Sequence, residues 1–330
     1  MDETLLLKLR KIRNGQEFIE FIKPFYPTLE VKELYIEEIE RAVYDAYIKI
    51  IGKLIHISPP NMQNFLRTYL FKFEIMNVKE IILGTIVGMS PKEKSKNVNF
   101  LIEEYLENTT FMKGLIKIRS LEEIQLYVKG TKFEQVLKEG IIYFRNTNEV
   151  FVLEGFLDRL YYEMLVREKL LYNRRESEII DVFIDFAIEI YNIKVIYRGI
   201  INNIERQLLY QFIVWNYFLL DREKIENLLS QKNIENFLQE IVLIFRKTIH
   251  DTYLLNLIDI KKEHFIWSVE ALYSEYIMKK FHLNRGDIIQ STIYGVIELI
   301  LKKEKEIRFT ILPSIIKIFH EKYEKIEFKR

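Results

Sequence analysis

Groups able to do chemistry stand together at two places in this chain. Glu74, Asn77 and Lys79 lie in the stretch EIMNVKEIILG ending at Gly84, and Glu189, Asn192 and Lys194 lie in EIYNIKVIYRG ending at Gly199. A carboxylate, an amide and an amine so close together could serve as base, orienting group and cation in general acid–base catalysis. Glu, Ile, Asn, Lys, Ile and Gly keep the same places in both copies. A group that recurs in separate parts of a chain is explained by what those parts share, which is packing, more simply than by one active site.

Other sites are sparse. Asp181 and Asp185 at i and i+4 could hold Mg²⁺ for a diphosphate substrate, yet no third carboxylate or second metal motif accompanies them; alternatively they are a solvated helix start, favoured by the helix dipole. None of the histidines His56, His250, His264, His282 and His320 has a Glu three residues before it or another His at i+4. Di-iron and zincin arrangements are therefore excluded, and the histidines read as surface or single core residues. Gly130-Thr131-Lys132 lacks the order of a phosphate-binding loop. The chain has no cysteine, which removes disulfides, thiolate metal sites and thiol nucleophiles. No catalytic, cofactor-binding or metal residue is expected.

A second echo shares the period of the first. Leu160-Tyr161-Tyr162-Glu163 returns as Leu272-Tyr273-Ser274-Glu275 and is foreshadowed by Val43-Tyr44-Asp45-Ala46, with tyrosine spacings of 117 and 112 against 115 for Glu74 and Glu189. A third motif copy is due near Glu306, where Phe309 stands at the Asn position and Ile311 at the Lys position. The period predicts three units, 1–115, 116–228 and 229–330, the last degenerate.

The elements that carry these groups read as helices. Glycine and proline are few, eleven and six in 330 residues, and apolar residues recur at helical spacing, which predicts an all-α fold of small bundles in series. Long helices are expected over 30–56, from Asn61 to Gly84, over 149–171 and over 178–199, with breaks at Ser58-Pro59-Pro60, 173–177 and 284–287. Ser90 to Asn97 reads as a charged connector, and Leu208 to Leu220 as one buried helix, too short for the roughly 20 residues that span a bilayer. Ser120 and Glu123 form a capping box. Glu74 shares its helix face with Val78 and Ile81, as Glu189 does with Ile193 and Ile196, so each carboxylate sits in an apolar stripe and needs a partner. Arg67, seven residues before Glu74, is one candidate. Gly84 and Gly199 read as C-caps or close-packing points.

Composition narrows the class. Forty-nine basic and 48 acidic residues give a net charge of +1, alternating along helix faces, which argues against nucleic acid binding. The opening MDETLLLKLRKIRNGQEF has too short an apolar run for a secretory signal.

Four motifs taken in order carry a resemblance: Lys129-Gly130-Thr131-Lys132-Phe133, Leu157-Asp158-Arg159-Leu160-Tyr161-Tyr162, Glu189-x-x-Asn192-Ile193-Lys194 and Lys303-Glu304-x-Glu306-Ile307-Arg308. With the triple repeat, they resemble the C subunit of archaeal and vacuolar-type rotary ATPases, the d subunit of vacuolar enzymes. The resemblance implies three similar helical domains about a pseudo-threefold axis, forming a funnel that sits on the membrane rotor ring and receives the rotor shaft. It implies a peripheral protein on the cytoplasmic face, present once per complex, with no active site or cofactor and with membrane contact only through the ring. Phe309 and Ile311 depart from the pattern, and the first unit matches least well. A helical-repeat adaptor unconnected with ATPases is the alternative.

Overall fold

The structure, a computed structural model, describes residues 5, 8, 9, 11–172, 174–282 and 288–327. Among these the fold is all-α, with no strand. In chain order the helices are α1 (Gly15–Ile22), α2 (Ile36–Ile57), α3 (Pro60–Ile86), α4 (Pro91–Asn97), α5 (Phe100–Tyr105), α6 (Thr109–Lys117), α7 (Leu121–Tyr127), α8 (Glu134–Thr147), α9 (Val150–Glu168), α10 (Arg174–Ile201), α11 (Arg206–Phe212), α12 (Arg222–Leu229), α13 (Ile234–Thr248), α14 (Thr252–Leu255), α15 (Lys262–His282), α16 (Ile288–Glu306) and α17 (Leu312–Glu327). Their starts follow local chemistry. Side-chain oxygens of Asn14, Ser90, Ser120, Asp221 and Asn233 each accept a backbone N–H of the first turn, satisfying donors that the helix itself leaves free.

The chain divides into two compact units. One comprises Met1–Leu70, Phe100–Glu107 and Gly295–Arg330. Within it α17 packs on α1 and α2, and α2 on α5. Gly52 gives room to Tyr105, since a Cβ there would lie 2.1 Å from the Tyr105 ring. Tyr47 and Tyr69 share a hydrogen bond of 2.7 Å, and Tyr69 donates to Glu304 at 2.5 Å, so a polar chain ties α2, α3 and α16 inside an apolar core. The sequence echo at Tyr44 is displaced by three residues. The starts of α2 and α9 lie 114 residues apart, which brings Tyr47, buried like Tyr161 and Tyr273, to the equivalent place.

In the same unit the regular helix gives way at Ile307–Ile311 to a π-turn, where the Leu312 N–H bonds the carbonyl of Ile307, five residues back. Pro313 is the physical reason. It has no N–H for the carbonyl of residue 309 and its ring crowds that carbonyl, so the backbone widens ahead of it.

The other unit comprises Phe71–Asn99 and Asn108–Tyr294. Helices α8 and α9 form its closest pair, and α10 is its hub, touching α9, α11, α13 and α15. Ile180, Ile184, Ile188, Ile193 and Ile196 of α10 are wholly buried, each worth about 1.5–3 kcal/mol over exposure. Such packing, more than propensity, holds a long helix in place.

Two expectations are corrected here. Residues 91–97 are a helix, begun by a complete Ser90–Glu93 capping box and turned to bury Lys94. Leu208 to Leu220 is not one helix: α11 ends at Phe212, and the backbone beyond it is taken by side chains of α10, as described below. The expected break at 284–287 and Asn173 lie outside the described residues, while residues 174–177 are already helical.

Candidate functional site

The two motif copies occupy equivalent turns of α3 and α10. Glu74 and Glu189 are both fully buried, as their place in the apolar stripe requires. Lys132 reaches Glu74 at 2.7 Å, and the Asn108 side chain donates to the same carboxylate instead of capping α6. Arg67 is not the partner: it binds the Tyr105 carbonyl at 2.6 Å and Glu107 at 3.0 Å. Glu189 has no ion pair among the described residues. It accepts the backbone N–H groups of Phe218 (3.1 Å), Leu219 (2.8 Å) and Leu220 (2.9 Å) and the Tyr273 hydroxyl. Burial pushes its carboxyl up to about 7, a rise that these hydrogen bonds from Tyr273 and the backbone only partly offset. In each copy the carboxylate fastens the segment leading into the next helix, α6 or α12.

The asparagines act identically. Asn77 donates to the Asn99 carbonyl at 3.0 Å and accepts the Asn99 N–H at 2.9 Å. Asn192 donates to the Val214 carbonyl at 2.9 Å and accepts the Val214 N–H at 3.0 Å. Both partners lie 22 residues downstream, and each clamp ends a seven-residue helix, α4 or α11, whose bounds differ by 115 at both ends. The lysines also match. Lys79 pairs with Asp158 at 2.7 Å, and Lys194 with Glu270; each acid stands three residues before its buried tyrosine, Tyr161 or Tyr273.

Gly84 and Gly199 are close-packing points and not C-caps. A Cβ on Gly84 would lie 2.7 Å from Lys94 Cγ, and one on Gly199 2.3 Å from Leu209 Cδ2, again ten residues on in each copy. The helices turn off later, at Gly88 (φ 76°) and Asn203 (φ 53°). The N–H groups of Met89 and Ile204 then reach back to the carbonyls of Gly84 and Gly199, as in a Schellman motif.

The third copy differs. Glu306 is nearly buried and meets Lys303 at 3.1 Å, while Lys303 also lies over the Tyr26 ring. Burial and the Glu306 charge raise the Tyr26 hydroxyl well above its ordinary range. Phe309 and Ile311 fall inside the π-turn, and Ile311 is fully buried.

Asp181 and Asp185 do not form a solvated helix start, because α10 begins at Arg174. Asp185 is held by Lys169 at 2.5 Å and by Asn216 at 2.7 Å. Among the described residues no three His, Asp or Glu gather as metal ligands. Sequence reasoning missed Lys132, Asn108, Lys94 and the Asp158/Glu270 pair. Only the last carried a signal, an acid three residues before each repeated tyrosine.

The motif's polar groups are spent on fastening helices and loops, which makes this an all-α protein built around a repeated structural latch. The family described as ATP synthase (C/AC39) subunit matches residues 1–311, and the chain belongs to it. It is 26% identical to the A-type ATP synthase C subunit of Methanocaldococcus jannaschii over 285 residues, 84% of this chain and 67% of that protein. Its identity to the C subunit of the Methanothermobacter thermautotrophicus A-type ATP synthase is 21% over 238 residues, covering 71% and 59%, and to that of Pyrococcus furiosus 21% over 279 residues, covering 84% and 71%. The match thus spans less than two thirds of the Methanothermobacter protein. No described helix is long and apolar enough to cross a membrane.

Proposed function

We propose that the chain is the non-catalytic central-stalk component that couples the rotor shaft of an archaeal or vacuolar-type ATPase or ATP synthase to its membrane rotor ring. Membership of the ATP synthase (C/AC39) subunit family is the observation that carries this reading. The repeated latch supports it. Helix α3 is fastened to α9 by Lys79 and Asp158, α10 to α15 by Lys194 and Glu270, and α17 packs on α2. The motif helices α3 and α10 so engage the tyrosine helix of the next copy, and α17, which follows Glu306, packs on α2, the tyrosine helix of the first. This is the connectivity that three units, 1–115, 116–228 and 229–330, would need to close about a pseudo-threefold axis into a funnel. Glu74, Glu189 and Glu306, with Asn77, Asn192, Lys79, Lys194, Gly84 and Gly199, are then register-setting latches of a torque-bearing body. Such a body sits on the cytoplasmic face, once per complex, and touches the membrane through the ring alone. Pull-down of the tagged full chain from native membranes tests the reading. Shaft and ring proteins should be recovered with it; recovery of the chain with neither, or with partners typical of an adaptor, overturns it.

A further inference from the structure

The repeat accounts for what its copies share, so a feature found in only one copy has another origin. Beside the Asn192 clamp lies a cleft of about 390 Å³ between one face of α9 and residues 210–215. Helix α9 supplies Arg159, Glu163 and Arg167 at i, i+4 and i+8. Arg159 closes on Glu163 at 2.7 Å and on the Gln211 carbonyl at 2.8 Å, which cancels one charge of each sign. Arg167 is exposed and has no ion pair among the described residues. The facing wall is Tyr210 and Trp215, with ring centroids 4.9 Å apart. Arg222 lies 5.4 Å over the indole and donates to the Tyr210 hydroxyl at 3.2 Å, so the wall is braced from behind. Asn192 fixes Val214, the residue before Trp215, and thereby sets where the wall stands.

The other copies share only part of this set. By the spacing of the helix starts, Arg159 and Glu163 correspond to Asp45 and Lys49 on α2, with the signs exchanged, and to Ala271 and Glu275 on α15, while Arg167 corresponds to the cations Lys53 and Lys279. Phe100 follows the first clamp's partner Asn99 where Trp215 follows Val214. Packing of the repeat therefore does not require Arg159 or the Tyr210–Trp215 wall, although a cation at the Arg167 place is common to the copies.

We infer that this cleft docks an acidic segment of another protein of the complex, with a carboxylate on Arg167 and an apolar or aromatic side chain against Trp215. The inference rests on the coupling reading above. Two arginines face one glutamate in the lining, which leaves a positive site for an acidic partner. Tryptophan, tyrosine and arginine around a recess are also the residues that dominate binding energy at protein interfaces. Absence of the Tyr210–Trp215 wall from the first copy suits a partner that binds at this cleft and not at its repeat equivalent.

The test places a photo-crosslinking amino acid at Val166, on the cleft lining, in the full chain assembled into the purified ATPase. A crosslink to one segment carrying at least two Asp or Glu is expected. Arg167→Glu should cut its yield at least tenfold while Arg167→Lys keeps most of it, with assembly unchanged in both. The inference falls if the crosslinked segment lacks acids, if charge reversal leaves the yield unchanged, or if an assembled chain gives no crosslink. A chain that never enters the complex overturns the coupling reading as well, and co-purification before irradiation separates the two failures.

Discussion

The hydroxyl of Tyr273 donates to the buried carboxylate of Glu189, 84 residues earlier in the chain. With three backbone N–H groups on the same carboxylate, this single side chain joins α10, α15 and the segment before α12. Its carboxyl is raised from 4.5 to about 7. The native state thus holds a proton that the unfolded chain has released, and stability falls as pH rises between about 4.5 and 7. Each pK unit is about 1.4 kcal/mol, so the loss is on the order of 3 kcal/mol. Urea titrations at pH 4.5, 6 and 8 should show it as a difference between the parent chain and Glu189→Gln, which has no proton to release. Parallel pH profiles for the two proteins would refute the assignment. Glu189→Ala, which strands the Tyr273 hydroxyl and the backbone donors, should cost about 3–5 kcal/mol at pH 4.5 and less at pH 8, where the parent has lost the proton-linked part of its stability.

The asparagine clamps give a paired prediction. Asn77→Ala and Asn192→Ala each remove two hydrogen bonds of the same geometry, and each should cost about 2 kcal/mol. Only Asn192→Ala should also shift the emission of Trp215, because Val214 is its partner. Urea midpoints and fluorescence, read with Trp267→Phe as background, check both parts.

At the glycines the outcome depends on the neighbour. Gly199→Ala brings a Cβ against Leu209 and should lose about 1–2 kcal/mol after the helix-propensity gain of about 1 kcal/mol is counted. Gly84→Ala should lose a similar amount, and Lys94→Ala should relieve it, since the obstructing atom is Lys94 Cγ. A double-mutant cycle measures this coupling; additive losses would mean that the contact is not what selects glycine.

The two lysine latches should differ in worth. Lys194→Met leaves Glu270 nearly buried without this cation and should cost about 1–2 kcal/mol more than Lys79→Met, whose partner Asp158 is 40% exposed. Thermal unfolding of the two variants side by side decides it.

Much of this was legible in the sequence. The helical class, the 115-residue period and the burial of Glu74 and Glu189 followed from apolar spacing and repetition, which are local properties. The partners were not, because Lys132 and Tyr273 come to their glutamates from 58 and 84 residues away, and no local pattern encodes such meetings. Leu208 to Leu220 misled for a related reason. Its composition suits a buried helix, but Asn192 and Glu189 compete for its backbone N–H groups and win. Arg67 was a plausible neighbour of Glu74 by spacing along one helix, yet it serves the carbonyl of Tyr105.

The π-turn at Ile307–Ile311 changes how the third copy should be compared with the others. A turn bonded five residues apart accommodates about one residue more than a regular turn while the helix continues in the same direction. From there on, the ruler that aligned Glu74 with Glu189 slips by one notch, and the face presented at each number rotates with it. Phe309 is then the neighbour in number, and Thr310 the neighbour in phase, of Asn77 and Asn192. Read one residue on, the copy has Thr310 and Leu312 where the others have Asn and Lys, so its amide and amine are missing in phase as well as in number.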